Sequence, residues 1–274
     1  MPRSPRSIII GSLVAVTRLA GAQTDSNAGQ TFYVQRDALV GTALFAVSAG
    51  VSLFDVRIAR YFQDTTLRHV RVGRRLDGAF TRINETTLTV GGLVVYAAAR
   101  IAKQRTLADA AFHVAESVAA ASLTSQVIRG PLGRTRPQNA IPAYEDQYEF
   151  KFFKGFTRFA NRAFPSIHSS SGFAAASAII SEVENHQGRA AWYVAVPSYA
   201  LALTPGLSRM YLGQHWASDI ISGAVIGTFY GQRIVRYAHA HPTTPVDRLF
   251  LGSVDRLRIA RSRGRLSLSW GTTF

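Results

Sequence analysis

Apolar residues recur along this chain at helical spacing, with few alternating stretches. Ala38 to Phe54 is apolar and uncharged, and Leu67 to Phe80 is strongly basic. Thr86 to Lys103 is apolar with many small residues. Leu107 to Ile128 is alanine-rich and carries Asp109, His113 and Glu116 on an otherwise apolar surface. An irregular stretch runs from Gly130 to Pro165. Further helical patterns cover Ser169 to Val183, Ala190 to Thr204 (interrupted by Pro197) and Ala217 to Tyr237. The series predicts an all-α fold, a bundle of about six or seven helices.

The two ends read differently. Met1 to Arg6 is basic, Ile8 to Val16 is a short apolar run, and Ala20-Gly21-Ala22 fits the small-x-small rule for cleavage before Gln23. Residues 1–22 are therefore expected to be a signal peptide, giving a periplasmic or secreted product, with the helical domain over residues 23–240. Beyond it, His241-Pro242-Thr243-Thr244-Pro245 reads as a linker. Leu257 and Ile259, then Leu266, Leu268 and Trp270, alternate with charged or small residues across a turn at Arg263-Gly264, which predicts a short β-hairpin tail within residues 241–274. Mean hydropathy is only +0.07, low for a protein made mainly of membrane spans, so a soluble or surface-associated bundle is expected rather than six full spans.

Charge narrows the class of partner. The 274 residues carry a formal net charge of +15, almost all of it on arginine, since Lys103, Lys151 and Lys154 are the only lysines. Arginine forks suit phosphate oxygens, so phosphorylated small molecules, anionic lipid or nucleic acid are the candidate partners. There is no cysteine, which excludes disulfides and thiolate metal sites.

Four short segments carry candidate chemistry. Arg129-Gly130-Pro131-Leu132-Gly133-Arg134-Thr135-Arg136-Pro137 concentrates arginines near a helix end. Pro165-Ser166-Ile167-His168 precedes a helix, whose free N–H groups suit an anion. Ser208-Arg209 is the third. His215 and Asp219, four residues apart, are the fourth. Phosphoryl transfer needs fixed donors for the equatorial oxygens, an in-line nucleophile and an acid for the leaving oxygen. His215 can be the nucleophile if Asp219, one helical turn on, holds its proximal nitrogen. His168 is then the acid, and Arg129, Arg136 and Arg209, with Ser166 and backbone N–H groups, form the phosphate cradle. Alone, each segment has a plainer reading: a structural hydrogen bond, a solvated or nucleic-acid-binding turn, a helix cap at Ser166.

Taken in order, these segments resemble the type 2 phosphatidic acid phosphatase superfamily, which includes bacterial acid phosphatases, lipid phosphatases and vanadium haloperoxidases. The family pattern is lysine, six residues, Arg-Pro; then Pro-Ser-Gly-His; then Ser-Arg, five residues, His, three residues, Asp. This chain has Arg129, six residues, Arg136-Pro137; Pro165-Ser166-Ile167-His168; and Ser208-Arg209, five residues, His215, three residues, Asp219. The resemblance covers roughly residues 37–237. It implies a helical bundle, a phosphohistidine on His215, acid catalysis by His168, and phosphate contacts from Arg129, Arg136, Ser166, Ile167, Ser208 and Arg209. It implies no metal or other cofactor, with vanadate as an inhibitor.

The chain departs from the pattern at two places: Arg129 stands for lysine and Ile167 for glycine. The leading expectation is a phosphatase acting on phosphate monoesters or diphosphates, lipid phosphates above all. The alternatives are a vanadate-dependent haloperoxidase, in which vanadate is the cofactor, and a catalytically weak basic relative that binds membrane or nucleic acid. His113 and Glu116 are read either as orienting the cradle arginines or as a buried polar pair. Phe152-Phe153-Lys154-Gly155-Phe156 is read either as a pocket cover that touches an acyl chain or as a packing loop.

Overall fold

The computed structural model describes residues 31–63, 80, 82–140, 147–188 and 192–241, together with the backbone of 257–262 and 265–270. The expected signal peptide, all of the basic stretch Leu67 to Phe80 except its last residue, and most of the linker lie outside the described residues. The described residues form seven α-helices: α1 (Gln35–Ser52), α2 (Asp55–Gln63), α3 (Glu85–Ile101), α4 (Arg105–Leu132), α5 (Ile167–Gln187), α6 (Trp192–Tyr211) and α7 (Ala217–Ala240). Three single 3₁₀ turns, at Pro137–Asn139, Lys154–Phe156 and Phe159–Asn161, fill the segment between α4 and α5. Two strands, β1 (Leu257–Ser262) and β2 (Arg265–Trp270), pair antiparallel with Ile259 opposite Leu268, the hairpin that the alternation predicts.

The fold is all-α, as the periodicity implies, but several boundaries differ. The short helix α2 has no counterpart in the sequence reading. It is only nine residues long, packs Val56 and Ala59 against Trp216, and is anchored at its start by the buried Asp55. Helix α6 does not stop at Thr204. It runs through Pro205 to Tyr211, so Ser208 and Arg209 sit on its last turn. Helix α7 begins only at Ala217, so His215 lies in the approach to the helix rather than on it.

Helix α5 is the centre of the bundle and packs against α4, α6 and α7, while α7 also meets α1 and α4, and α3 covers α4. The face of α5 toward α7 is made of serine and alanine, and α7 answers with Gly223, Gly227 and Gly231 at intervals of four. A Cβ on Gly223 would lie 2.3 Å from the Ser166 carbonyl oxygen, and one on Gly227 would lie 2.2 Å from that of Ser170. The two backbones can therefore approach this closely only with glycine at these positions. The contact brings the first turns of α5 and α7 side by side, and those turns carry the candidate chemistry.

Many large apolar side chains on α1, α3 and α6 face outward, among them Leu39, Val47, Val90, Val94, Val196 and Leu201. Among the described residues no single helix is long and apolar enough to cross a membrane. Helices α1 and α2, bent by 60° at their junction, meet that length and composition only as a pair.

Candidate active site

The candidate residues converge where the C-terminal end of α4, the start of α5, the last turn of α6 and the start of α7 meet. After α4, the chain turns at Gly133, which adopts φ +62°, the left-handed conformation that glycine tolerates. Backbone bonds then hold the following loop as if it were regular structure: Thr135 N–H donates to Glu149, Arg136 N–H to Ala160, and Ala163 N–H to Arg134. Trp216, almost fully enclosed, packs on Ala59, Ala140 and Ala163 and donates its indole N–H to the Thr135 carbonyl at 2.9 Å. The loop and the start of α7 are locked together through this ring.

His215 is 2% exposed, and its Nδ1 lies 2.6 Å from the Ala163 carbonyl oxygen. A carbonyl can only accept, so in the neutral ring Nδ1 carries the proton and Nε2 keeps its lone pair. Asp219 Oδ2 stands 3.7 Å from the same Nδ1. That is ion-pair distance, but the direct hydrogen bond goes to Ala163, which sequence spacing alone assigned to Asp219. Asp219 is instead a hub: Oδ2 accepts the Trp216 N–H at 2.8 Å, and Oδ1 accepts Arg134 Nη1 at 2.5 Å. Arg134 also reaches Ser218 Oγ at 2.8 Å and Asp55 Oδ2 at 2.8 Å, with both ion-pair partners buried. Asp55 in turn accepts the Ser218 backbone N–H at 3.0 Å, which seats α2 on α7.

The remaining cations form a second cluster. His168 Nε2 lies 2.5 Å from Arg209 Nη2, and Arg209 Nη1 donates to Gln214 Oε1 at 2.5 Å. Arginine only donates, so His168 Nε2 accepts and the ring is neutral here. Arg129 Nη2 donates to Gln126 at 2.8 Å, and Arg136 lies 3.7 Å over the Phe159 ring. Arg129 Nε, and Arg136 Nε and Nη1, are buried donors with no hydrogen-bond acceptor among the described residues. Burial, then Arg162, lowers the guanidinium of Arg129 to about 10, and burial, then Arg129 and Arg209, lowers that of Arg136 to about 9. Burial, then Arg209, His215, Arg129 and Arg136, push His168 down to about 3. Burial, only partly offset by Asp219, pushes His215 down to about 4. An anion among these donors would offset the repulsion between the cations and favour their charged forms.

Three expected contacts are more structural. Ser166 is fully buried and caps α5, accepting the Ser169 N–H at 3.4 Å. Ile167 is 1% exposed, its side chain turned into the packed interior. Ser208 is buried one residue before Arg209 on α6.

Residues 110–242 match the PAP2 superfamily. This chain carries a PAP2 superfamily domain. A stretch of 73 residues is 36% identical to the lipid A 1-phosphatase of Porphyromonas gingivalis, covering 27% of this chain and 16% of that protein, so the match spans about a sixth of the relative's length. Among solved structures, the first transmembrane PAP2 type phosphatidylglycerolphosphate phosphatase from Bacillus subtilis aligns with 72% of this chain and 98% of its own, at 18% identity and a TM-score of 0.38.

Sequence reasoning did not single out four groups that shape the site. Arg134 lies inside the first motif and was passed over as one of three arginines. Its partner Asp55 is 79 residues away, and nothing local marks it. Ala163 acts through a backbone carbonyl, which no residue type signals. Arg162 donates to the carbonyls of Gly155 and Phe156, both at 2.7 Å, and so ties the aromatic loop to the segment that leads into α5. One reading is corrected: His113 does not orient the cradle. It bonds Glu182 at 2.6 Å, toward the opposite end of the bundle.

Proposed function

We propose that the chain is a metal-independent phosphatase that cleaves lipid phosphate esters through a phosphohistidine on His215. The observation that carries this reading is the set of buried donors on Arg129 and Arg136 that have no acceptor among the described residues, beside two histidines whose pKa values are depressed by burial and by the surrounding guanidinium groups. These arginines are almost wholly enclosed, which suits a small phosphate group and not a nucleic-acid backbone on a surface.

In the proposed cycle, the substrate phosphate dianion enters the cradle and takes up the free donors. Arg209 turns to the phosphate and leaves His168 Nε2. The added negative charge raises the pKa of His168, which gains a proton. His215 Nε2 attacks phosphorus in line, the bond to the leaving oxygen breaks, and His168 gives that oxygen its proton. The positive imidazole of the phosphohistidine is stabilised through Nδ1 by Ala163 and by the carboxylate of Asp219. Water then attacks phosphorus with His168 as base, the P–N bond breaks, and phosphate leaves. The guanidinium groups supply the charge that a metal supplies in other phosphatases.

Lipid substrates are favoured by two features. The rim carries exposed Phe152, Phe153, Phe156 and Phe159, and the outer faces of α1, α3 and α6 expose apolar side chains suited to a bilayer. The similarity to a lipid A 1-phosphatase points the same way. The basic and apolar N-terminal segment supports delivery to the periplasm or beyond. The test is a phosphate-release panel in chelator, comparing soluble esters with lipid phosphates in detergent, with and without vanadate. Lipid phosphates should be the better substrates, and vanadate should inhibit. Release that requires added metal, or vanadate-dependent halide oxidation without phosphate release, contradicts the reading.

A further inference from the structure

Far from the arginine cradle, three helices bring ligand-type side chains to one point. His113 on α4, Glu182 on α5 and His239 on α7 place their ligating atoms within 4.8 Å of one another. The Glu182 carboxylate lies between the imidazoles: Oε1 is 2.6 Å from His113 Nδ1, and Oε2 is 2.9 Å from His239 Nε2. His186, one turn along α5, has its Nε2 3.8 Å from the same Oε2, and its ring centroid is 6.0 Å from that of His239. His113 and Glu182 are buried, and His239 is partly exposed. Three of the chain's seven histidines thus surround one carboxylate.

We propose that this cluster is a binding site for a divalent transition metal of the zinc class, with His113, Glu182 and His239 as ligands and His186 as the fourth. Two or three imidazoles with one carboxylate are a set that zinc accepts, and bonds of about 2.0–2.2 Å put neighbouring ligand atoms roughly 3.3 Å apart. The observed separations need only small side-chain adjustments to meet that spacing. A cavity of about 600 Å³ bordered by Glu182 and His186 gives an ion a way in. Sequence spacing hid the set, because its members lie on three different helices.

The site is separate from the phosphate chemistry. His113 and Arg129 share α4 sixteen residues apart, about 24 Å along the axis. A metal here would tie the far ends of α4, α5 and α7 together, and it would fix the last turn of α7. Its role is therefore structural.

The test uses tag-free full-length protein, stripped with chelator and then titrated with zinc chloride by calorimetry, with metal analysis of the protein after gel filtration. Wild type should take one zinc per chain and melt at a higher temperature when loaded. Glu182→Gln and, separately, the partly exposed His239→Ala should lose both the stoichiometric zinc and the shift. Circular dichroism of the two variants establishes that they are folded. Failure of the wild type to bind zinc assigns the cluster to hydrogen bonding alone and overturns the proposal. One zinc retained by both folded variants overturns it equally. These readouts do not depend on the phosphatase reading.

Discussion

Arg134 and Asp219 meet in an ion pair of 2.5 Å from which water is almost excluded. The same guanidinium holds Asp55, so one cation neutralises two buried carboxylates from α2 and α7. Breaking a buried pair from one side leaves an uncompensated charge and costs about 3–5 kcal/mol. Arg134→Met should therefore lower unfolding stability by about that amount in denaturant titration and abolish turnover, although Arg134 never touches substrate. The double variant Arg134→Met with Asp55→Asn should recover part of the stability but not the activity. Stability and turnover of Arg134→Met equal to wild type would remove Arg134 from the account.

Gly223 and Gly227 set the distance between α5 and α7. A valine at Gly227 would press on the Ser170 carbonyl, and overpacking of this kind costs about 1–3 kcal/mol. Gly223→Ala, nearer the site, should displace Ser166 and His168 and reduce kcat more than its loss of stability explains. Thermal melting and steady-state kinetics on both variants check the distinction.

Arg129 occupies the place of the family's lysine. Its charge and its uncommitted Nε both face phosphate in this account. Arg129→Lys should keep turnover within about tenfold of wild type, while Arg129→Met should lose about 100-fold or more, as removal of a positioned oxyanion donor does. A lysine variant as impaired as the methionine variant would mean that the guanidinium geometry, not its charge, is what the pocket uses.

The buried histidines give a signed pH dependence. His168 and His215 titrate near 3 and 4 in the folded protein against 6.5 when unfolded. Between pH 6.5 and 4 the unfolded chain binds more protons, so stability rises with pH there, by up to about 1.4 kcal/mol per unit for each histidine. The ligand-free protein should be most stable above pH 6.5 and lose stability as pH falls toward 4. Phosphate should flatten this slope by raising the folded values, and so should replacing both histidines with glutamine. Melting curves from pH 7.5 to 4.5 give the answer, and an unchanged slope in the double variant would contradict it.

The bundle was legible from stretches of helical length and composition, although α5, buried on nearly every side, has little amphipathic periodicity of its own. The grouping of the candidate residues was legible where residue type and spacing mark them, and the fold brings His168, Arg209 and His215 together. It was not legible where function passes through backbone or through distant pairs. The Ala163 carbonyl has no side-chain signature, and the Asp55–Arg134 pair spans 79 residues. The helix assumption also misplaced one detail. His215 and Asp219 are four apart, but α7 starts between them, so Asp219 caps the helix at Trp216 while Ala163 takes the imidazole N–H.

The central claim is that phosphate passes through His215. The direct measurement is to quench turnover of a ³²P-labelled lipid phosphate in alkali and map the label. The account predicts an acid-labile, alkali-stable phosphoryl group on the peptide carrying His215, formed in chelator and absent from His215→Ala, which should be inactive. Label on another residue, or phosphate release by His215→Ala at the wild-type rate, would contradict it.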